Sequence, residues 1–420
     1  MNKRLVLGAI LLIEALAMAP SLAISLLYGD GDALALLSSM ALLAALGFPA
    51  WRFAHPREQN LRAREGFLVV ALSWVLLSAF GALPFVISGL IPNYIDAFFE
   101  AVSGFTTTGA TLMGNFDGLP RGVMFWRSFT HWIGGMGVLV LTLALLPQMT
   151  GRSSHLVRAE SPGPSLSKIV PKMGDTAKIL YLIYGALTMI ELAALIIAGM
   201  SPYDAAIHAM GTAGTGGFSN YGSSVGAFDS AVIDAIITFF MVLFGINFAL
   251  FYRVLVGGWR DALRSEELHW YLALFIGSCA GSTAGGIKVV RVGILCKLGC
   301  REVRRTFQPR KVQVVRFEGK GVEENRLTQV SAFFFVYVLL VLAGMFLVSL
   351  EGLYDLETNF TAVLTCISNV GPGLGHVGPV ENFSGYGPFA KVVLSLLMLA
   401  GRLELFPILV LFHPSAWRKG

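Results

Sequence analysis

The chain has 420 residues, 55% of them hydrophobic and 14% charged, with a mean hydropathy of +0.69. A soluble globular chain carries about a quarter charged residues, so an ordinary soluble enzyme is excluded, and this much apolar surface excludes intrinsic disorder. The net charge of +5 at neutral pH does not imply nucleic acid, because basic residues collect in the cytoplasmic loops of membrane proteins.

Several apolar runs reach the roughly 20 residues that cross a bilayer as a helix. The short alternating segments of a membrane β-barrel are not seen. The chain therefore reads as an all-α polytopic membrane protein. Lys3 and Arg4, with the apolar run to Ala17-Met18-Ala19, resemble a signal peptide. That run continues to Tyr28, long enough to span, and reads as a first helix. In all, apolar segments stand at about 5–28, 33–51, 66–90, 123–147, 177–200, 230–256, 271–300, 327–350 and 386–412.

Basic residues sort the connections into two groups. Arg52, Arg57, Arg62 and Arg64 follow the second segment; Arg152, Arg158, Lys168 and Lys172 the fourth; Arg260 and Arg264 the sixth. A dense basic stretch from Arg301 to Arg326 follows the seventh. Connections 29–32, 91–120, 201–229 and 351–385 are nearly free of Lys and Arg. The positive-inside rule places the first group, and the N-terminus, in the cytoplasm. The seventh segment breaks the rule, since it lies between two basic loops. Either a loop is misread, or this segment is re-entrant, or a crossing is missing.

Three of the Lys/Arg-poor connections repeat one pattern. Each begins with a residue suited to a helix N-cap (Asp96, Asp204, Thr358), continues as a short apolar stretch, and reaches a glycine (Gly109, Gly217, Gly371). Each is too short to span, so each reads as a half-helix that enters the membrane and returns as an extended strip. A non-helical strip at membrane depth must line water or be buried in protein. Thr106-Thr107-Thr108-Gly109 supplies oxygen ligands alone, the chemistry that replaces the hydration shell of potassium. Each half-helix aims its negative dipole end at the strip, which favours a cation. Asp96 and Asp204 are expected as caps, with an added attraction for cations at the outer mouth as the alternative. Gly134, Gly135 and Gly137 in the fourth segment read as small residues for close helix packing.

Cys279, Cys296, Cys300 and Cys366 lack the histidines that would complete a zinc set. His208 reads as a packing or hydrogen-bonding residue. The sequence holds no HExxH, and its histidines are scattered, so a membrane enzyme is disfavoured.

The strips at Thr106–Thr111, Gly216–Ser219 and Asn369–Gly373 resemble the filters of the Trk/Ktr/HKT potassium transporters. Gly277–Lys288 resembles that family's intramembrane gating loop, and Arg158–Pro164 and Gly401–Glu404 resemble the bacterial Trk membrane subunit. The two leading helices also match the Trk branch. The resemblance implies four helix–pore loop–helix units around one pore, a homodimer in the bacterial cytoplasmic (inner) membrane, potassium uptake by channel or symport, and no cofactor beyond the transported K+. It also implies a cytosolic nucleotide-binding regulatory subunit docked on the basic face. Carried onto this sequence, the filter residues are Thr107, Thr108, Gly109, Thr215, Gly216, Gly217, Asn369, Val370 and Gly371. The gate residues are Gly277, Gly281, Ser282, Gly285 and Gly286. Arg402 becomes a positive barrier below the filter, with an ion pair to Glu404 as its alternative.

The organisation expected is a helix pair at 1–65, pore unit 1 at 66–150, unit 2 at 151–257, a remnant of unit 3 at 258–326 with only its gate helix, and unit 4 at 327–420. The long segments start at 66 and 123 in unit 1 and at 177 and 230 in unit 2, whereas Trp270 runs straight into the gate segment. A block of roughly 50–60 residues is thus absent from the third repeat. The alternative function is a transport-impaired variant that keeps assembly or regulator-binding surfaces.

Overall fold

A computed structural model describes residues 3–53, 63–116, 118–137, 173–274, 279–280, 282–283 and 285–414. The end of the fourth segment, the basic connection at 151–172 with the motif at 158–164, and Gly277 and Gly281 lie outside the described residues.

The first span is two helices, α1 (Lys3–Ala17) and α2 (Ala19–Tyr28), and the second is α3 (Ala33–Arg52). Gly8 and Gly47 let α1 and α3 touch backbone to backbone: a Cβ on Gly8 would lie 2.6 Å from the Trp51 nitrogen. Pore unit 1 follows as α4 (Ala63–Gly81), a short α5 (Leu83–Ile87), the half-helix α6 (Tyr94–Phe105) and α7 (Arg121–Met136). The turn between α2 and α3 caps α7, with Asp30 accepting from the Arg121 N–H at 3.0 Å and Asp32 from the Val123 N–H at 2.7 Å. Unit 2 is α8 (Met173–Ile197), the half-helix α9 (Pro202–Ala213), α10 (Ala231–Phe244) and α11 (Phe248–Leu255); the last two bend by 91° at Gly245–Asn247.

After a short α12 (Trp259–Leu263), the seventh apolar segment is not one span. It comprises α13 (Glu266–Leu274), a loop, and α14 (Val289–Phe307). The start and finish of this excursion meet: Lys297 pairs with Glu266, and the Glu318 N–H donates to Glu266 at 3.0 Å. Start and finish lie on one side, which answers the charge conflict in favour of re-entrance. A β-hairpin of β1 (Arg316–Phe317) and β2 (Lys320–Gly321) closes that surface.

Unit 4 is α15 (Glu324–Ser349), the half-helix α16 (Leu356–Ser368), α17 (Pro388–Arg402) and α18 (Phe406–Phe412). The ninth segment is therefore also broken, at Glu404 (φ 56°) and Leu405 (φ 68°). Among the described residues, five helical stretches are long and apolar enough to cross a membrane, six if the bent pair counts as one. The sixth, seventh and ninth predicted spans are broken, and the fourth is described only as far as Gly137, with φ 85°.

One large apolar core joins α1, α4, α6, α15, α16 and α17, including Trp74, Phe99, Phe105, Val363 and Met398. Unit 1 is the centre: α17 and α18 of unit 4 pack on it through α6 and α4, and α9 of unit 2 packs on α7. Leu27, Leu34, Ile197 and Phe335 stay exposed, as side chains that face lipid should.

The helix-packing reading holds for Gly134 and Gly135. A Cβ on Gly134 would fall on the Phe105 carbonyl, and one on Gly135 would meet the Tyr184 hydroxyl at 2.6 Å. Gly137 instead ends the helix at a positive φ of 85°. Gly134→Leu is expected to destabilise the fold by about 1–3 kcal/mol through overpacking against the first strip, read as a lowered melting temperature in detergent.

Candidate cation filter

The three half-helices are built alike. Their N-caps are Asn93, Ser201 and Asp355, accepting from the N–H of Ile95 (2.9 Å), Asp204 (3.1 Å) and Thr358 (3.1 Å). The expected caps Asp96, Asp204 and Thr358 thus sit one turn inside. Asp96 is held by Lys391 at 2.8 Å, and Asp204 by Asn220 and Tyr221, because the true caps three residues earlier already satisfy the helix ends.

Their C-termini close with one motif. Thr107 and Thr108 donate backward to the carbonyls of Gly104 and Ser103; Thr215 and Gly216 to Thr212 and Gly211; Asn369 and Val370 to Cys366 and Thr365. This is a Schellman closure, and it puts its pivot residue in the left-handed region. Thr107 and Thr215 both have φ 56° and Asn369 has φ 53°. Two residues on, Gly109, Gly217 and Gly371 have φ 84°, 76° and 96°. The left-handed glycine explains why each pattern ends where it does. The strip's N–H groups at these positions are spent on the half-helix, so its carbonyls remain for another partner.

The strips converge on the first one. A Cβ on Gly109 would fall on the Gly216 carbonyl oxygen, and a Cβ on Gly371 on the Thr108 carbonyl oxygen. Asn369 donates to the Thr108 hydroxyl and to the Met398 carbonyl, each at 2.9 Å. Thr106, Thr107 and Thr108 are fully buried. All nine predicted filter residues therefore occupy three matched strips, with strip 1 (106–109) between strip 2 (214–217) and strip 4 (368–371).

Sequence reasoning missed the clamp outside the strips. Glu100 on α6 and Arg127 on α7 form a buried ion pair at 2.7 Å, both at most 1% exposed. Glu100 also accepts from the Thr111 hydroxyl and the Leu112 N–H at 2.9 Å, and Arg127 donates to the Ser219 carbonyl at 3.0 Å. The Arg127 guanidinium lies 3.5 Å over the Phe218 ring, whose other contact is the stacked ring of His131. One pair thus ties the outer limbs of strips 1 and 2 together. The signal was present: an acid on a half-helix at membrane depth requires a partner, and Arg127 is the basic residue inside the next helix.

Below the strips, Arg402 donates to the Gly134 and Gly135 carbonyls, the Thr283 carbonyl and, at 3.4 Å, the Thr107 hydroxyl. Its guanidinium lies 5.7 Å from the Trp74 ring centre. The alternative of a pair with Glu404 fails, because Glu404 pairs with Arg291 across the break between α17 and α18. Among the predicted gate residues, Gly285 and Gly286 lie against Asn369 and the Ser368 carbonyl, while Ser282 donates to the Cys279 carbonyl at 2.8 Å. The loop is pinned to the bend of unit 2, with Cys279 N–H on the Gly245 carbonyl (3.1 Å) and the Thr283 hydroxyl on the Phe244 carbonyl (3.1 Å).

His208 hydrogen-bonds the Asp204 carbonyl and the Ser219 hydroxyl, a bracing role. No group of three or more metal-ligating side chains is present among the described residues.

The family model for TrkH, described as a cation transport protein, matches residues 35–269 and 262–419. The chain belongs to this family. It is a multi-pass membrane transport protein and not an enzyme. The Trk system potassium uptake protein TrkH of Escherichia coli K12 is 36% identical over 94% of this chain and 95% of its own length. TrkH of Vibrio parahaemolyticus is 34% identical over 99% and 98%. The crystal structure of the potassium transporter TrkH from Vibrio parahaemolyticus superimposes with a TM-score of 0.87, at 30% identity over 99% of each chain. The alignment with the Vibrio sequence runs over 481 positions although this chain has 420 residues, so that relative holds residues with no counterpart here. The family match divides at 262–269, the place where the third repeat runs short.

Proposed function

We propose that the chain takes up potassium across the bacterial inner membrane, from an outer mouth above the strips to a cytoplasm that holds the N-terminus and the basic loops. The observation that carries this reading is the threefold recurrence of one left-handed pivot and one left-handed glycine, at 107/109, 215/217 and 369/371, on strips that meet. Stripping water from potassium demands oxygens fixed in place before the ion arrives, and the spent N–H groups fix them. The strips hold the ion and the loop around Ser282–Gly286 gates it. Arg402 sets a positive barrier beneath. The units are those drawn from the sequence: 1–65, 66–150, 151–257, a third-unit remnant at 258–326, and 327–420.

The partners proposed are a second copy of the chain, membrane lipid and a cytosolic nucleotide-binding regulatory subunit. The exposed side chains of Arg304 and Arg305 in the last turn of α14, and of Arg310 and Lys311 beyond it, supply a basic surface for that subunit.

Expression in a bacterium lacking its own potassium uptake systems tests the reading: growth on limiting potassium is expected with the regulator present. The second reading, a transport-impaired chain that retains only its assembly surfaces, is favoured by the divided family match. No growth from a chain present in the membrane at normal level decides for it. Arg402→Gln is expected to speed uptake, by about tenfold for each ~1.4 kcal/mol of barrier removed, measured as initial rubidium uptake.

A further inference from the structure

A filter that selects potassium over sodium surrounds the ion with fixed oxygens. Strip 1 has a neighbour on each side, strip 2 and strip 4, and its three threonines are fully buried. Strips 2 and 4 each have strip 1 on one edge; on the other, Gly285 and Gly286 cover strip 4 only at Asn369 and Ser368, and its outer part is open, as is strip 2 at Gly217. A Cβ on Gly217 would meet only the Met241 methyl, at 3.9 Å, and Gly217 itself is exposed. Val370 of strip 4 is 55% exposed.

Among the described residues, the remnant of unit 3 packs between units 2 and 4 on the inner side. There Leu250, Tyr271, Cys279 and Val289 pack α11 to α13 and α14, and Ile294, Phe317 and Leu327 pack α14 to α15. Further out, Val232 and Phe239 on α10 and Leu342 and Phe346 on α15 are exposed, and no strip stands between them among the described residues.

We propose that the filter is three-sided and opens laterally in the outer half of the membrane, between Gly217 and Val370, so that the chain passes monovalent cations with little preference for potassium over sodium. This rests on the reading of the strips as a cation path. On the bare side, the ion's remaining ligands are water or lipid headgroup oxygens. These move to fit either ion, whereas a closed ring of strip carbonyls favours one size. The family's division at 262–269 and the longer alignment with the Vibrio relative point to the same missing quarter.

Two measurements on the full chain test this. In lipid vesicles, rubidium and sodium are expected to enter at rates within about threefold of each other. A rubidium rate more than about tenfold higher overturns the proposal. Separately, Val370→Cys is made in a chain whose exposed Cys296 and Cys300 are changed to Ser, and treated with a membrane-permeant maleimide. Ready labelling is expected, with protection once the Vibrio relative's third unit is inserted at 262–269. Resistance of Val370→Cys in the uninserted chain overturns the open side. Labelling without flux of either ion supports the open side and removes the transport reading, so the two fail separately.

Discussion

Gly109→Asp is expected to reduce rubidium uptake to the level of protein-free vesicles, with the protein still present in the membrane. Gly109 holds φ 84°, where a side chain costs about 1–2 kcal/mol. Its added Cβ would land on the Gly216 carbonyl oxygen, so strips 1 and 2 must part before any carboxylate is placed. The ion would then lose ligands from two strips at once. Even Gly109→Ala meets the same oxygen and is expected to lose most uptake. Gly217→Ala carries the same left-handed penalty but has open space beside it, and should keep more uptake than Gly109→Ala. Gly217→Asp brings a charge into the strip and is expected to lose more uptake than Gly217→Ala. Initial rubidium rates, normalised to protein in the membrane, give the ranking; equal loss in the two alanine variants would mean that the strip contacts are not what Gly109 serves.

The second large effect is on stability. Arg127→Met leaves Glu100 buried without its counter-charge, and breaking one side of a buried pair costs about 3–5 kcal/mol. Glu100 also holds Thr111 and Leu112, so the loss spreads to the outer limb of strip 1. The double change Arg127→Met with Glu100→Gln removes both charges and keeps an acceptor for those two donors. It is expected to melt at a higher temperature than Arg127→Met alone, in the same detergent and salt. A double variant melting at or below the single would show that the pair's charge balance is not what holds the strips.

Half-helices, strips and their glycines were legible in the sequence because three copies of one pattern exposed what a single copy hides. The spacing from a polar start to a glycine located all three turns, yet it put the caps a turn too far inward. Asp96, Asp204 and Thr358 have the chemistry of caps, and so do Asn93, Ser201 and Asp355; only the backbone decides between them. Hydropathy found the seventh and ninth segments but not their breaks, since an apolar run looks the same straight or folded back. Charge did expose the seventh: two basic flanks cannot belong to one crossing. The buried pair Glu100–Arg127 and the bridge Arg291–Glu404 were not found, because each joins residues distant in sequence and only packing shows which charge meets which. Arg402 donates to the backbone carbonyls of Gly134, Gly135 and Thr283, and such acceptors carry no mark in a sequence.

The central claim is that these three strips form a path for potassium. Purified chain in lipid vesicles loaded with potassium salt, given radiolabelled rubidium outside, tests it most directly, with Gly109→Asp and protein-free vesicles alongside. The account predicts saturable rubidium uptake by the chain and none by the variant. A chain that is folded and inserted yet takes up no more rubidium than its Gly109→Asp variant would contradict it.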